Sequence, residues 1–324
     1  MKVLIIGGAG MIGRKLAERL AKDGAINGRP ITQMTLYDVV VPSAPDGAAM
    51  AVKTLTGDLP SQGEAEKLVA DKPDVIFHLA AIVSGEAEMD FDKGYRINLD
   101  GTRQLFDAVR AAEYGPRIVF ASSIAVFGAP FPEAIYDEFH TTPLTSYGTQ
   151  KAISELLLAD FTRKGIFDGV GIRLPTICVR PGKPNKAASG FFSNIIREPL
   201  VGQEAILPVS EDVRHWHASP RSGVGFMVHA AGLDGDAIGP RRTLTMPGVS
   251  VTVGEQIAAL REVAGEAVVN RIKREPDQMI SDMVGGWPRN FDAVRAIDLG
   301  FKAETSFQDI IRAHIEDELG GKVA

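Results

Sequence analysis

Tyr147 and Lys151 are the first candidates for chemistry in this chain of 324 residues. They lie four positions apart in segment 146–161, whose apolar residues recur at helical spacing, so both side chains are predicted on one helix face. An ammonium group beside a phenol favours the phenolate and lowers the phenol pKa toward the range in which it can take a proton from an alcohol. In isolation such a pair is more often a surface contact, so its context decides the interpretation.

Ser123 is the third candidate. It directly follows segment 117–122 (RIVFAS), which predicts a buried strand. Ligands of open α/β sheets bind beyond the carboxyl ends of the strands, and a serine hydroxyl there could hold an alcohol or carbonyl oxygen. The predicted catalytic group is therefore Tyr147, Lys151 and Ser123.

The first thirteen residues, MKVLIIGGAGMIG, predict the cofactor site. Residues 2–6 indicate a strand buried on both faces, and the apolar positions of 11–22 recur at helical spacing, so Gly7, Gly10 and Gly13 occupy a strand-to-helix turn. Glycines there allow a pyrophosphate to reach the backbone amides, and the helix dipole favours its negative charge. A glycine-rich turn without a ligand is the alternative.

Two acidic residues follow later predicted strands. Asp38 lies near the end of the strand predicted over 34–41, where an acid accepts hydrogen bonds from the adenosine ribose and repels a 2′-phosphate, which favours NAD over NADP. The alternative for Asp38 is a solvated strand end. Asp58 follows a strand over 52–55, and either binds the adenine amino group or caps a helix over 62–70.

Segment 75–79 predicts a fourth buried strand, in which His78 is expected to be packed rather than catalytic. Ala80 follows it and is small enough for close approach of a cofactor, and residues 84–86 predict a polar loop beyond the strand end. Asn98 interrupts the apolar face of a helix over 95–112. A buried amide must find partners, so Asn98 is expected to hold backbone or water near the active site.

The composition changes after a sixth strand predicted over 169–177. Residues 180–199 are basic and rich in Pro and Gly, and 214–217 (RHWH) form a cluster of cationic or potentially cationic groups. Thr252 is predicted as a helix cap, with Glu255 placed for a capping box. Further helices are predicted over residues 222–231, 253–263, 291–299 and 306–319.

Charge and cysteine content narrow the function classes. The net charge is −6 and no long run of Lys or Arg occurs, which argues against nucleic acid or an anionic membrane as partner and favours a small molecule. Cys178 is the single cysteine, so the chain holds no internal disulfide and no multi-cysteine metal site, and no metal is predicted. Cys178 is expected to be buried. Since a strand begins at residue 2 without a charged and apolar leader before it, we expect a cytoplasmic protein.

Together these patterns predict an α/β protein with a Rossmann-type doubly wound parallel sheet. The nucleotide-binding domain is predicted over residues 1–178, with return segments near 215–247. Residues 179–324 are predicted to form mainly a smaller, mixed α/β substrate-binding domain, interleaved with the first.

Seven motifs in register resemble the extended short-chain dehydrogenase/reductase family over residues 1–180. They are GGAGMIG (7–13), Asp38, GDL (57–59), HLAA (78–81), INLDGT (97–102), SSIAVFG (122–128) and YGTQK (147–151). The resemblance implies that Tyr147 is the general acid/base, that Lys151 lowers its pKa and holds the nicotinamide ribose, and that Ser123 orients the reacting oxygen. It also implies a homodimer that pairs helices 95–112 and 146–161. The predicted NAD-binding residues are Gly7, Gly10, Met11, Ile12, Gly13, Asp38, Asp58, Leu59, Ala80, Asn98, Tyr147, Lys151 and Pro175.

The chain departs from the nucleotide-sugar members of that family. Thr176 stands three positions after Arg173 where those enzymes usually carry asparagine, Phe127 replaces a tyrosine, and 214–216 (RHW) replaces an Arg-Asp-aromatic signature. A smaller anionic substrate is therefore expected, and segment 177–200 is similar to a subgroup that oxidises four-carbon sugar acids at the hydroxyl next to the carboxylate. The predicted substrate residues are Ser84, Ser123, Tyr147, Thr176, Arg180 and Arg214, with Lys183, Lys186 and His217 as further partners for a carboxylate.

Two other functions remain open at this point. One is a nucleotide-sugar epimerase or dehydratase that uses the same three catalytic residues and keeps its NAD tightly bound. The other is a catalytically silent, NAD-sensing regulatory protein, against which the intact Ser, Tyr and Lys set argues.

Overall fold

The computed structural model describes residues 1–182 and 189–324, which divide into two compact units. The first unit comprises Met1–Val126, Thr145–Leu174 and Val224–Thr245. The second comprises Phe127–Leu144, Pro175–Gly223 and Met246–Ala324. Segment Phe127–Leu144 therefore belongs to the second unit, although it lies within residues 1–178, the range predicted for the nucleotide-binding domain.

The secondary structure alternates between strands and helices. The strands are β1 (Lys2–Ile6), β2 (Ala25–Ile26), β3 (Arg29–Pro30), β4 (Gln33–Asp38), β5 (Ala51–Thr56), β6 (Val75–His78), β7 (Arg117–Ser123), β8 (Ile135–Tyr136), β9 (Asp168–Leu174), β10 (Thr176–Ile177), β11 (Ala205–Leu207), β12 (Arg214–Ala218), β13 (Thr243–Thr245), β14 (Val249–Thr252), β15 (Ile272–Arg274) and β16 (Phe291–Asp292). The helices are α1 (Met11–Asp23), α2 (Glu64–Val69), α3 (Ser84–Met89), α4 (Phe91–Gly94), α5 (Gly101–Ala112), α6 (Ser146–Arg163), α7 (Gly190–Leu200), α8 (Pro220–Gly232), α9 (Gly235–Ile238), α10 (Val253–Ala264), α11 (Glu266–Val269), α12 (Gln278–Gly285), α13 (Val294–Asp298) and α14 (Phe307–Leu319). A π-helical segment, Tyr95–Asp100, joins α4 to α5, and Ile124–Val126 forms a 3₁₀ turn.

The first unit contains a seven-stranded sheet in the order β13-β9-β7-β6-β1-β4-β5. Every neighbouring pair in it is parallel. Strand β1 lies in the interior of the sheet with four of its five residues buried, as expected of a parallel strand covered on both faces. Phe106 and Leu158, from α5 and α6, pack in one core cluster with Leu4 and Phe120 of the sheet. The Rossmann-type parallel sheet predicted from the sequence is confirmed.

The second unit is a mixed α/β unit, as predicted. Its largest sheet has the order β10-β12-β14, in which β12 pairs parallel with β10 and antiparallel with β14. Two further pairs, β11 with β15 and β8 with β16, are parallel. Helices α7, α10 and α14 contribute the core of this unit, including Phe192, Ile257 and Ile310.

The predicted sixth strand over 169–177 is wrong in its second half. Strand β9 ends at Leu174 in the first unit, and Thr176–Ile177 form β10, which pairs with β12 in the second. Pro175 separates them, because proline has no amide hydrogen to continue a sheet ladder.

Three other local predictions also differ from the structure. The polar loop predicted at 84–86 is the start of helix α3, and the helix predicted over 291–299 is the short strand β16 followed by α13. The second strand ends at Asp38 rather than at residue 41, which leaves Val39, Val40 and Val41 between 62% and 70% exposed.

The cap of α10 is confirmed. The Thr252 side chain accepts a hydrogen bond from the Glu255 amide at 3.0 Å, and the Glu255 carboxylate accepts one from the Thr252 amide at 2.6 Å. This reciprocal capping box satisfies two amides that the first turn of a helix leaves without intrahelical acceptors. Within the described ranges, none of the helices has the length and apolar character needed to cross a bilayer.

Candidate active site

The predicted residues of the first unit gather at the carboxyl edge of its parallel sheet. The glycine turn follows β1, Asp38 ends β4, Ala80 follows β6 and Ser123 ends β7, and these strands are consecutive neighbours in the sheet. The edge formed by the carboxyl ends of parallel strands is where ligands bind in folds of this class.

The glycine turn has the geometry of a phosphate cradle. Gly7 has φ +96°, and a Cβ at this position would lie 2.7 Å from the Ala80 amide nitrogen. A Cβ on Gly13 would overlap the Gly7 carbonyl oxygen. Helix α1 begins at Met11, directly after Gly10. The amides of its first turn, including that of Ile12, have no intrahelical acceptor, and Gly10 has no side chain that could cap them. These residues suit a dinucleotide pyrophosphate, which would accept hydrogen bonds from those amides.

Asp38 faces the glycine turn. Its Oδ2 accepts a hydrogen bond from the Ala9 amide at 2.9 Å, which orients the carboxylate beside the turn. Asp58 instead forms an ion pair with Arg96 at 2.7 Å. Helix α2 begins after Gly63 with no side-chain cap, so the capping role considered for Asp58 is not observed. The Leu59 side chain is buried in the core, so only its backbone could reach a cofactor.

Lys151 is a buried lysine beside the predicted base. It is 2% exposed, and its Nζ donates to the Ala121 carbonyl at 2.8 Å. The same nitrogen lies 5.7 Å from the ring centroid of Tyr147 and 4.8 Å from that of Phe120. Burial lowers the pKa of Lys151 to about 8, and the Glu155 carboxylate acts in the opposite direction. The structure therefore confirms that the amine and the phenol are neighbours on one face of α6.

The Ser123 side chain is half-buried at the end of β7. Its Oγ accepts a hydrogen bond from the Ala125 amide at 3.1 Å. Because that contact uses the oxygen as acceptor, the hydroxyl hydrogen can be donated to a substrate oxygen.

Asn98 holds backbone near this edge, as predicted. Its Oδ1 accepts from the Ile82 amide at 2.9 Å, and its Nδ2 donates to Gln150 Oε1 at 2.8 Å. His78 is 1% exposed and packed, with Nε2 at 2.8 Å from Thr102 Oγ1. Burial, and secondly the charge of Lys151, lower the pKa of His78 to about 3, so this imidazole is neutral.

Sequence reasoning missed a buried ion pair between Glu155 of α6 and Arg173 of β9. Glu155, which is 6% exposed, accepts hydrogen bonds from Arg173 Nη2 at 2.7 Å and from Ser122 Oγ at 2.5 Å. Two signals pointed to it: Arg173 is a charge within a predicted buried strand and so needs a partner, and Glu155 follows Lys151 by one helical turn.

In the second unit, Thr176 is bonded to a histidine. Its Oγ1 lies 2.7 Å from His215 Nε2, while His215 Nδ1 lies 2.8 Å from the Pro288 carbonyl oxygen. A carbonyl can only accept, so Nδ1 carries the hydrogen and Nε2 accepts from the threonine hydroxyl. The Thr176 hydroxyl hydrogen is therefore used, and Oγ1 can only accept a hydrogen bond from a ligand.

The expectation of a cationic cluster at 214–217 is wrong. Burial lowers the pKa of His215 to about 4 and that of His217 well below its ordinary value, so both rings are neutral. Successive residues of a strand face opposite sides, which places Arg214 on the other face of β12 from His215 and His217. Its guanidinium pairs with Glu255 at 3.1 Å and donates to the Ser250 carbonyl.

Arg180 acts on the histidines of β12. Its positive charge contributes to lowering the pKa of both His215, the partner of Thr176, and His217. Its Nε donates to the Ile177 carbonyl at 3.0 Å and its Nη2 to Ser189 Oγ at 2.8 Å. Thus the structure groups Thr176 with Arg180, and separates Arg214 from them.

The remaining candidates are placed as follows. Ser84 is half-buried in the first turn of α3, and Pro175 is buried directly after the last residue of β9. Lys183 and Lys186 lie outside the described residues. Cys178 is fully buried, as predicted, and burial raises the pKa of its thiol to about 12. Residues 1–182 and 189–324 contain no cluster of three or more His, Cys, Asp or Glu side chains that could hold a metal ion.

Comparison with known proteins identifies the family. A sequence profile of the NAD dependent epimerase/dehydratase family matches residues 3–218. The chain belongs to this family. Its cofactor is NAD, in agreement with the glycine cradle and Asp38, and the enzyme is an NAD-dependent dehydrogenase of the extended short-chain dehydrogenase/reductase type.

Individual relatives extend the match beyond that profile. The chain is 46% identical to D-erythronate dehydrogenase of Cupriavidus necator over 321 residues, covering 98% of each chain. It is 44% identical to D-erythronate dehydrogenase of Haemophilus influenzae, covering 98% of this chain and all of that one. The crystal structure of a nucleoside-diphosphate-sugar epimerase from Agrobacterium tumefaciens is 67% identical, with a TM-score of 0.98 over 100% of this chain and 96% of that chain. The similar proteins thus include both a dehydrogenase and an epimerase.

Proposed function

We propose that this enzyme oxidises a small sugar acid of the D-erythronate kind at the 2-hydroxyl, giving the 2-keto acid. The observation that carries the reaction type is the buried Lys151 ammonium, 5.7 Å from the ring centroid of Tyr147, at the sheet edge where Ser123 ends its strand. The substrate class is supported by near full-length similarity to two D-erythronate dehydrogenases.

In this mechanism Tyr147 is the general base. The positive charge of Lys151 favours the phenolate, which removes the proton of the substrate hydroxyl. Ser123 donates a hydrogen bond to the same oxygen as it becomes a carbonyl. NAD, when bound on the turn from Gly7 to Gly13, accepts the hydride from the carbon that bears this oxygen. The proton therefore goes to Tyr147, and two electrons leave the substrate with the hydride.

The substrate carboxylate requires a cation, since an unpaired buried carboxylate is costly. Arg180 is the favoured partner, because hydrogen bonds to the Ile177 carbonyl and to Ser189 Oγ hold its guanidinium beside the residue that follows Thr176. Arg214 is a weaker candidate, since it lies on the opposite face of β12 from His215, the partner of Thr176, and pairs with Glu255. Thr176 would accept a hydrogen bond from a substrate hydroxyl.

The test uses a panel of four- to six-carbon sugar acids with NAD, followed by NADH absorbance. Accumulation of NADH with a 2-hydroxy sugar acid supports the proposal. Tyr147→Phe should abolish turnover while NAD affinity, measured by calorimetry, stays near the wild-type value, because only the proton acceptor is removed. Full activity in this variant would refute the assignment of Tyr147.

A nucleotide-sugar epimerase is the second candidate, favoured by the 67% identical structure from Agrobacterium tumefaciens. Against it stand Thr176 in place of the family's asparagine and a neutral, buried His215 in place of its aspartate. An epimerase regenerates its NAD in each cycle, so isomerisation of a nucleotide sugar without NADH accumulation would decide for it. No turnover with any panel member would support an NAD-sensing regulatory protein.

We also propose a homodimer formed through α5 and α6. The support for this proposal is the resemblance to the extended short-chain dehydrogenase/reductase family, which implies pairing of these two helices. Light scattering on the purified enzyme would give the mass in solution, and a monomer at micromolar concentration would contradict this expectation. The cytoplasmic location remains a prediction.

A further inference from the structure

Glu155 is a buried carboxylate one helical turn after Lys151 on α6. It receives a bidentate contact from Arg173 of β9, with Nε at 3.0 Å and Nη2 at 2.7 Å, and it accepts the Ser122 hydroxyl. The Arg173 and Glu155 side chains are 11% and 6% exposed. Removing two charges from water carries a penalty that an apolar pair would avoid, so this pair invites a functional explanation.

Glu155 contacts the residue next to the catalytic serine. Ser122 immediately precedes Ser123, and the neighbouring Ala121 carbonyl accepts the Lys151 ammonium at 2.8 Å. Two successive residues of β7 are therefore held by two residues of α6. This arrangement fixes the strand end that carries Ser123 against the helix that carries Tyr147.

The charged and titratable groups described around Lys151 lie on its own helix and on neighbouring strands. Tyr147 and Glu155 belong to its own helix, His78 of β6 is neutral, and Arg173 of β9 faces Glu155. Burial lowers the pKa of Lys151, whereas Glu155 is the charge that raises it. The carboxylate of Glu155 therefore offsets part of the desolvation of the catalytic amine.

We propose that Glu155 is a positioning residue that keeps the Lys151 amine protonated and fixes the Ser123 strand end against α6. Arg173 pairs with the carboxylate through Nε and Nη2 and sets its orientation. This inference rests on the proposed catalytic roles of Lys151 and Tyr147, and it assigns a role to a residue that does not touch the substrate.

The test is the pH profile of kcat/KM for Glu155→Gln. Side chains one helical turn apart have Cβ atoms about 5–6 Å from each other, close enough for one charge to move the titration of another by about one pH unit. Without the carboxylate, Lys151 loses its proton at lower pH, so the alkaline limb of the profile should move down by about one unit. Because this change leaves Arg173 buried without its carboxylate, the double variant Glu155→Gln/Arg173→Met removes both charges and provides a second folded candidate.

Three control variants separate charge from structure. Glu155→Asp keeps the charge and should restore the alkaline limb. Ser122→Ala removes one hydrogen bond and keeps the carboxylate, so it should lower kcat without moving the limb. Asp160→Asn disrupts an exposed pair with Arg163 on the same helix and should leave both unchanged. An unmoved limb in the folded Glu155 variants, or an equal shift in Asp160→Asn, would overturn the proposal.

A second readout does not depend on turnover. The ¹³Cε resonance of Lys151, assigned by its absence in Lys151→Met, reports its protonation directly in the full chain. A lower midpoint in the Glu155 variants supports the proposal, and an identical midpoint refutes it. If no sugar acid is oxidised but this midpoint falls, then the proposed function fails while the role of Glu155 stands.

Discussion

Replacing Lys151 by Met should stabilise the fold while it abolishes activity. Burial lowers the Lys151 pKa from 10.5 to about 8, which corresponds to about 3.4 kcal/mol at about 1.4 kcal/mol for each pKa unit. Below pH 8 the native state bears this cost, because the buried amine is charged. Loss of the hydrogen bond to the Ala121 carbonyl offsets about 1 kcal/mol. Lys151→Met should therefore be more stable than the wild type by about 2 kcal/mol at pH 7.

The sign of the pH dependence follows from proton binding. Between pH 8 and 10.5 the unfolded chain keeps the Lys151 proton that the native state has released. The contribution of Lys151 to the free energy of unfolding of the wild type therefore rises with pH. The advantage of Lys151→Met should fall by roughly 2.5 kcal/mol between pH 7 and pH 10, and so nearly disappear.

The assay is urea unfolding of both proteins at the two pH values, followed by far-UV circular dichroism. Lys22→Met provides the control, since Lys22 is exposed on α1 and its replacement should give a stability difference that does not change with pH. A Lys151→Met difference that is the same at pH 7 and pH 10, or a wild type more stable at both, would refute the argument from burial.

Two further predictions concern the cofactor site. Gly13→Ala should weaken NAD binding by roughly 5- to 150-fold, because its Cβ would overlap the Gly7 carbonyl and overpacking of this kind costs about 1–3 kcal/mol; calorimetry measures the affinity, and wild-type affinity would show that the turn has room to adjust. Asp38→Asn should lower NAD affinity by about tenfold, since hydrogen bonds to charged groups are worth about 1.5–3 kcal/mol, and should raise the relative affinity for NADP; an unchanged ratio of NAD to NADP affinity would show that Asp38 does not face the ribose.

Much of the first unit was predictable because its signals are local. Glycines in a strand-to-helix turn, a buried β-branched run and an i, i+4 Tyr–Lys pair each act over a few residues, and the structure places them as expected at the glycine turn, β1 and α6. The loop prediction at 84–86 was wrong because serine and glycine favour turns, yet these residues begin α3.

Burial was much harder to infer than secondary structure. His215 and His217 were considered as potentially cationic groups, but both lie inside the second unit, where desolvation keeps them neutral. Arg214 stands next to them in the sequence and points to the other face of β12. The pairing of Glu155 with Arg173 joins a helix to a strand eighteen positions later, so the local pattern marks each charge as unusual but does not specify that the two pair.

The sequence by itself determined the family, the glycine turn and the candidate group of Tyr147, Lys151 and Ser123, since these are encoded by residue types at short, fixed spacing. Only the tertiary structure decided which ionisable side chains are charged and which groups they pair with. It buries His215 and His217, pairs Arg214 with Glu255, and holds the Glu155 carboxylate one helical turn from Lys151. The physical reason is that the ionisation of a side chain depends on the water and the charges around it. Those surroundings come from segments that are distant in sequence and that meet only when the chain folds.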